Sequence, residues 1–240
     1  VGEIFFGGYS QYAKVNGDFL VKKPQNLTLK QSMMLGTAGF TALQCAFTAK
    51  ATREQLLLGE KVENVIVTGA SGGVGSIAVM ILNKMGCNVT AVTGKDSNVE
   101  YLKSIGAKNI IKTSDLMKDS RPLDKGLWDG AVDTVGGKVL ENVLAQTKEA
   151  GIVAACGNAA DIKLNTTVMP FIIRGVKLWG INSVNASIKR REFIWGEAIN
   201  LIDFEKLSES IKEIKLENLI EIFPKMLKGE TSGRYLVNLN

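Results

Sequence analysis

The chain has 240 residues, 45% of them hydrophobic and 22% charged, which is the composition of a globular protein with room for one or two cored domains. No apolar run approaches the ~18 residues that cross a bilayer, and no segment reads as a secretory signal, so neither a membrane span nor an export route is expected. The net charge of +5 comes from lysines spread singly along the chain, which argues against a nucleic-acid patch and for a surface that favours small phosphorylated ligands.

In chain order, Tyr9 to Val15 alternates, Asn16-Gly17-Asp18 reads as a turn, and Phe19-Leu20-Val21 runs to Pro24, which predicts a β-hairpin within residues 1 to 35. From Ser32 to about Thr52 the spacing is helical, through Met33, Leu35, Phe40, Leu43 and Phe47. Regular β-α alternation follows: a strand at 62–68, a helix at 74–85, a strand at 88–92, a helix from Asp96 or Ser97 to Gly106, and a short strand at 109–111. Gly130 to Val135 is the next strand, 138–147 a helix and 152–156 a strand broken by Gly157. Repeated β-α units specify a doubly wound parallel sheet covered on both faces, with ligands along the carboxyl ends of its strands, so Thr134, Val135, Gly136, Gly157 and Asn158 are expected on one rim. Beyond it, a strand at 176–181, helices at 188–204 and 216–227 and a closing strand at 234–239 read as a return to the unit begun by the first residues.

The richest stretch is Val65-Ile66-Val67-Thr68-Gly69-Ala70-Ser71-Gly72-Gly73-Val74-Gly75. A β-branched run that ends in a glycine cluster and resumes with helical spacing is a strand turning into a helix whose first turn faces a phosphate. Gly69 and Ala70 make the tight turn, Gly72 lets backbone approach a pyrophosphate, Gly75 lets helix and strand pack closely, and free N–H groups from Ser71 to Val74 hold the anion. A strand for NAD carries an acid about twenty residues beyond the first glycine, but here the next strand runs into Thr93-Gly94-Lys95. A hydroxyl, a glycine and a cation suit a ribose 2′-phosphate, so NADP(H) is expected; the other reading of Lys95 is a solvated loop cation, with Asp96 beside it. Cys45, Cys87 and Cys156 all sit among apolar residues and suggest a reducing, cytoplasmic setting.

With Gly36-Thr37-Ala38-Gly39-Phe40-Thr41-Ala42, Tyr101 to Ala107, Asp133-Thr134-Val135-Gly136, Ala155-Cys156-Gly157, Thr167 to Ile172 and Gly180-Ile181-Asn182-Ser183, the sequence resembles the medium-chain dehydrogenase/reductase superfamily. The resemblance is to its zinc-free quinone oxidoreductase branch and the acrylyl-CoA reductase group, and it covers essentially the whole chain, although members extend further by something like eighty residues at the amino end. It implies an α/β fold, a Rossmann doubly wound parallel sheet plus the remnant of a GroES-like β-rich catalytic domain. Residues 1–40 would belong to the catalytic domain, 41–175 to the NADP-binding domain, and 176–240 would return to the first. It further implies NADPH-dependent reduction of a carbon–carbon double bond conjugated to a carbonyl, with acrylyl-CoA or a quinone as acceptor. Carried over by position, the nucleotide touches Ser71, Gly72, Gly73, Val74, Thr93, Gly94 and Lys95, with Asn158, Ile172 and Ser183 on the nicotinamide side. Asn109 stands where relatives carry an arginine for the 2′-phosphate, and Lys108 is the expected substitute. Zinc is not expected, because Thr37 takes the place of a cysteine ligand and the chain has no histidine. No proton donor is legible, and Asp133 reads as a structural carboxylate. A homodimer through the apolar strand near Trp179 is implied, against a strand covered within one chain. The alternative function is an NADPH-binding fragment or sensor without turnover.

Overall fold

The computed structural model describes residues 7–56 and 61–239, without the side chains of residues 51–56. The elements are α1 (Leu29–Leu56), β1 (Asn64–Val67), α2 (Gly73–Lys84), β2 (Asn88–Thr93), α3 (Val99–Ser104), β3 (Ala107–Lys112), β4 (Trp128–Asp133), α4 (Gly137–Ala145), β5 (Thr147–Ala155), α5 (Met169–Arg174), β6 (Lys177–Gly180), α6 (Ile188–Leu201), α7 (Phe204–Glu209), β7 (Ile211–Lys215), α8 (Leu219–Leu227) and β8 (Arg234–Asn238). Six strands form one sheet in the order β3-β2-β1-β4-β5-β6, and every pairing in it is parallel. This is the Rossmann arrangement expected from the alternation, and its order reverses between β1 and β4, where a crevice opens at the carboxyl ends.

Period two along the strands sends alternate residues to opposite faces. Val65 and Val67 of β1 join Leu43, Ile77 and Ile81 on the face covered by α1, α2 and α6, whereas Ile66 joins Val139, Val143 and Leu144 on the face covered by α4. All of these side chains are at most 1% exposed, and burial of each contributes roughly 1.5–3 kcal/mol. Gly130, on β4, allows α1 close approach, since a Cβ there would stand 2.6 Å from the Ala49 carbonyl oxygen.

Three expectations are corrected. The hairpin across residues 9–21 does not form: among the described residues up to 28 the one regular element is a single 3-10 turn, Gly17–Phe19, with the Asn16 side chain accepting from the Asp18 amide. The turn chemistry is present, but the flanking segments meet no sheet; Tyr12 is 91% and Leu20 61% exposed, and two strands alone are marginal in water. The helix at 29–56 breaks at Gly36, whose φ of 50° and ψ of −151° leave helical space. Strand β7 and helix α5 were not expected; β7 forms a separate two-stranded parallel ribbon with β8. Strand β6, grouped in the sequence reading with the returning tail, is the sixth strand of the main sheet, and α6 packs on α1.

At the crevice, the strand ends are tied by a buried carboxylate. Asp133, fully buried at the end of β4, accepts from Thr68 Oγ1 at 2.6 Å and from the Gly136 amide at 2.9 Å, while Thr68 Oγ1 accepts from the Thr134 amide at 3.0 Å. It bonds within the sheet rim. Burial lifts its pKa above the ordinary 3.8, against hydrogen bonds from Thr68 and the Gly136 and Val135 backbone that pull it down. Asp133→Asn puts an amide N–H₂ against one of the two donors and is expected to lower stability by about 1–3 kcal/mol in urea unfolding. Because the folded-state pKa is raised, the wild-type carboxyl contributes most below its unfolded pKa and loses that contribution as pH rises through the folded one; the gap to the variant therefore narrows on going up from pH 4.

Candidate functional site

Strand β1 leads into the turn at Thr68–Gly72. Gly69 has φ of 56°, and a Cβ on it would lie 2.3 Å from Thr134 Oγ1, so the turn is pressed against the loop after β4. Ala70 is buried, and its amide bonds the Val92 carbonyl at 3.0 Å, which ties the turn to β2. A Cβ on Gly75 would stand 2.3 Å from the Gly69 carbonyl oxygen, the close helix-to-turn packing assigned to that glycine. Gly72, exposed at the N-cap of α2, has only the Gly69 oxygen near its Cβ position, at 3.2 Å, and no side chain caps the helix. The 12-residue helix α2 thus presents its first-turn amides and dipole to an open cradle. One part of the expected anion grip is corrected: the Gly72 amide is bonded at 2.9 Å to the Gly69 carbonyl, which leaves Gly73 and Val74 as the N–H groups of the helix start.

The end of β2 stands beside this turn. Ser71 Oγ and Thr93 Oγ1 are 3.4 Å apart, and Thr93 Oγ1 accepts from the Lys95 amide at 3.2 Å. The Lys95 ammonium donates to the carbonyls of Gly229 at 2.7 Å and Thr231 at 3.0 Å, in the segment after α8, and the Gly233 amide reaches the Ser71 carbonyl at 3.4 Å. That segment therefore straps the phosphate turn to the end of β2, and the partly exposed Lys95 is held by it. Lys108 does not substitute for the missing arginine. Its ammonium bonds Asn88 Oδ1 at 2.9 Å, at the amino end of β2 and away from the rim, because parallel register places Lys112 beside Thr93. Lys112 is paired with Asp96 at 3.1 Å on the surface.

At the other end of the crevice, Ala155, Cys156, Gly157 and Asn158 after β5 and Gly180 to Val184 after β6 line an open cleft of about 590 Å³. Asn158 and Ser183 are brought together there, but Ile172 is not: it projects from α5, 71% exposed, outside the residues that line this cleft. Gly157 fits beneath Thr134, since a Cβ would sit 2.5 Å from the Thr134 carbonyl oxygen, so the two loops share the expected rim.

Arg234 was not foreseen. Its guanidinium bonds the Leu35 carbonyl, next to the Gly36 break, and its stem passes 3.7 Å from where a Gly73 Cβ would be. Burial holds its pKa below the ordinary value. A cation next to the start of α2 is an electrostatic asset for an anion, but the contact joins residues 199 apart and leaves no local signal.

A family model described as zinc-binding dehydrogenase matches residues 73–202. Among the described residues no three His, Cys, Asp or Glu side chains gather into a set that could hold a metal ion. The chain is 44% identical over 240 residues to the probable acrylyl-CoA reductase AcuI of Escherichia coli, covering all of this chain and 72% of that protein. The yhdH oxidoreductase of Salmonella enterica, solved in complex with NADP, superposes with a TM-score of 0.93 at 42% identity over 100% of this chain and 72% of its own. Bacillus subtilis YhfP, a putative quinone oxidoreductase, is 41% identical over 97% of this chain and 70% of its own, and its structure with NAD bound gives a TM-score of 0.86. At these identities and coverages the chain belongs to the medium-chain dehydrogenase/reductase superfamily of oxidoreductases, in the group of the acrylyl-CoA reductases and YhfP.

Proposed function

We propose that this chain binds NADPH across the β1–β4 crevice and serves the reduction of a carbon–carbon double bond conjugated to a carbonyl, with acrylyl-CoA or a quinone-like molecule as acceptor. The observation that carries the reading is the uncapped start of α2 behind Gly72, flanked by Thr93 and Lys95 where an acid for a ribose hydroxyl would stand. The names of the Escherichia coli relative and of the Salmonella complex with NADP support it; the NAD-bound YhfP structure leaves the dinucleotide choice to experiment.

In this reading Gly73 and Val74 give amides to the pyrophosphate, Gly72 gives it room, and Ser71, Thr93, Gly94 and Lys95 surround the adenosine ribose phosphate. Lys95 would exchange the Gly229 and Thr231 carbonyls for the 2′-phosphate, a charge-assisted bond generally worth about 1.5–3 kcal/mol. Arg234 adds positive charge beside the pyrophosphate. Asn158 and Ser183 orient the nicotinamide. NADPH supplies a hydride; the chain's own part is to hold the ring and exclude water, which is orientation and electrostatics. We assign residues 1–40 to a catalytic domain shared with the tail, and extend the nucleotide domain past residue 175 to include β6 and α6, which complete its sheet and cover. A cytoplasmic setting is proposed from three cysteines, none of them in a disulfide among the described residues.

Calorimetric titration with NADPH and then NADH is the direct test. NADPH is expected to bind about tenfold tighter, a difference of roughly 1.4 kcal/mol, with the preference lost in Lys95→Glu. Failure of both nucleotides to bind would sink the reading. Asp96→Asn, which releases Lys112 and removes a negative charge from the rim, is expected to tighten NADPH a few-fold and leave NADH unchanged in the same titration. A homodimer is also proposed: β6 is an edge strand with Leu178 37% and Trp179 54% exposed, whereas β3 guards the opposite edge with lysines. Sedimentation should give a dimer for the wild type and a monomer for Trp179→Glu, and a wild-type monomer would refute it.

A further inference from the structure

A second pocket, of about 260 Å³, lies between the segment 19–24 and the first turns of α6. Phe19 and Trp195 give it two aromatic walls, and Lys22, Lys23 and Arg191 give it three cations, with no carboxylate among its lining residues. The segment is anchored by Leu27, which is 1% exposed, and by the Lys23 ammonium, which donates to the Pro24 carbonyl at 3.0 Å and to the Leu27 carbonyl. Lys23 is thus tied to its own turn, whereas the exposed Lys22 has no such bond among the described residues. Arg191 is held from behind. Its Nε donates to the Ala186 carbonyl at 3.2 Å, its Nη2 donates to the carbonyls of Ser183 and Val184 at 2.9 and 2.8 Å, and the guanidinium carbon lies 5.0 Å from the centre of the Phe40 ring. Three bonds and one ring fix the guanidinium plane, and Nη1 keeps its two N–H groups for a ligand. None of this serves the nucleotide crevice described above.

We propose that this pocket binds the phosphorylated adenosine end of a coenzyme A thioester, with Lys22 and Arg191 Nη1 on its phosphates and its base on the rings of Phe19 and Trp195. A pre-oriented guanidinium beside a second cation is the donor set that phosphate oxygens take, and an aromatic wall accepts the face of a base. The volume falls just under the roughly 300 Å³ of the smallest sites that enclose a whole ligand, so it suits one end of a longer molecule. The same guanidinium carries the backbone of Ser183 and Val184, both of which line the cleft at the other end of the crevice. Pocket and cleft therefore share one wall, and a molecule held in the first can extend toward the second. Charge and rings alone specify a phosphorylated nucleoside; its assignment to a thioester rests on the functional reading above, in which acrylyl-CoA is a proposed acceptor. The pocket then favours that acceptor over a quinone, which has no phosphate to place there.

The test is calorimetric titration of the purified full chain, first saturated with NADPH to fill the crevice, with coenzyme A, adenosine 3′,5′-bisphosphate, ADP and inorganic phosphate in separate runs. Coenzyme A and the bisphosphate are expected to bind one to one. Lys22→Glu, at an exposed position, should weaken both about tenfold, and Trp195→Leu, which keeps bulk but loses the π face, several-fold. NADPH affinity should be unchanged in both variants, and circular dichroism checks that each keeps its fold. Failure of coenzyme A to bind the NADPH-loaded chain, or equal binding by wild type and Lys22→Glu, overturns the pocket while the functional reading stands. Coenzyme A that binds only when NADPH is left out sits in the crevice, which also overturns the pocket. ADP binding as tightly as coenzyme A upholds a phosphorylated-nucleoside site and overturns its assignment to a thioester; inorganic phosphate binding as tightly overturns the stacking of a base. If NADPH does not bind yet the bisphosphate binds and responds to Lys22→Glu, the pocket stands and the functional reading falls.

Discussion

The contact on which the rest depends is backbone against backbone: the start of α2 rests on the turn that leaves β1, with no space for a methyl group on Gly75 or Gly69. That proximity aims the first amides of α2 into the crevice between β1 and β4. It also brings the turn against Thr134, so the loops after two neighbouring strands become one surface. The Thr68–Asp133–Gly136 hydrogen bonds hold that surface from below. Burying the carboxylate raises its pKa, and the donors around it make the burial tolerable; the outcome is a rigid rim on which small polar groups can be placed.

Charge at this rim is already engaged. Lys95 spends its ammonium on two carbonyls of the strap, Lys112 faces Asp96, and Arg234 holds the Leu35 carbonyl beside the break at Gly36. An anion entering here therefore replaces existing hydrogen bonds, and its net gain is the difference between a charge-assisted bond to phosphate and the bonds to neutral carbonyls it displaces. The exposed Lys112–Asp96 pair costs little to open. The strap carries Gly233 and Arg234 next to the phosphate turn, so the closing strand and the nucleotide crevice are mechanically joined even though β7 and β8 form their own sheet.

The opposite end of the crevice is made of different material. The loops after β5 and β6 present small residues, Asn158, Ser183 and a thiol, with no charged side chain lining it among the described residues. A neutral, shallow end beside a cationic, amide-rich one suits a molecule with phosphates at one side and an uncharged or weakly charged ring at the other.

By itself the sequence determined what depends on local period and on glycine: the strand and helix alternation, the two-faced burial of the parallel strands, the turn at Gly69–Gly75, and the Thr93-Gly94-Lys95 end of β2. These follow from side-chain spacing and backbone freedom within about ten residues. The tertiary structure decided whatever needs a partner from elsewhere. The hairpin at 9–21 had turn chemistry but found no sheet, and Lys108 was displaced by Lys112 because register, not proximity in sequence, sets which side chain reaches the rim. Lys95 meets carbonyls 134 and 136 residues away, and Arg234 meets Leu35. Such contacts leave no trace in any short window, since they exist only once the sheet has brought its loops to one edge.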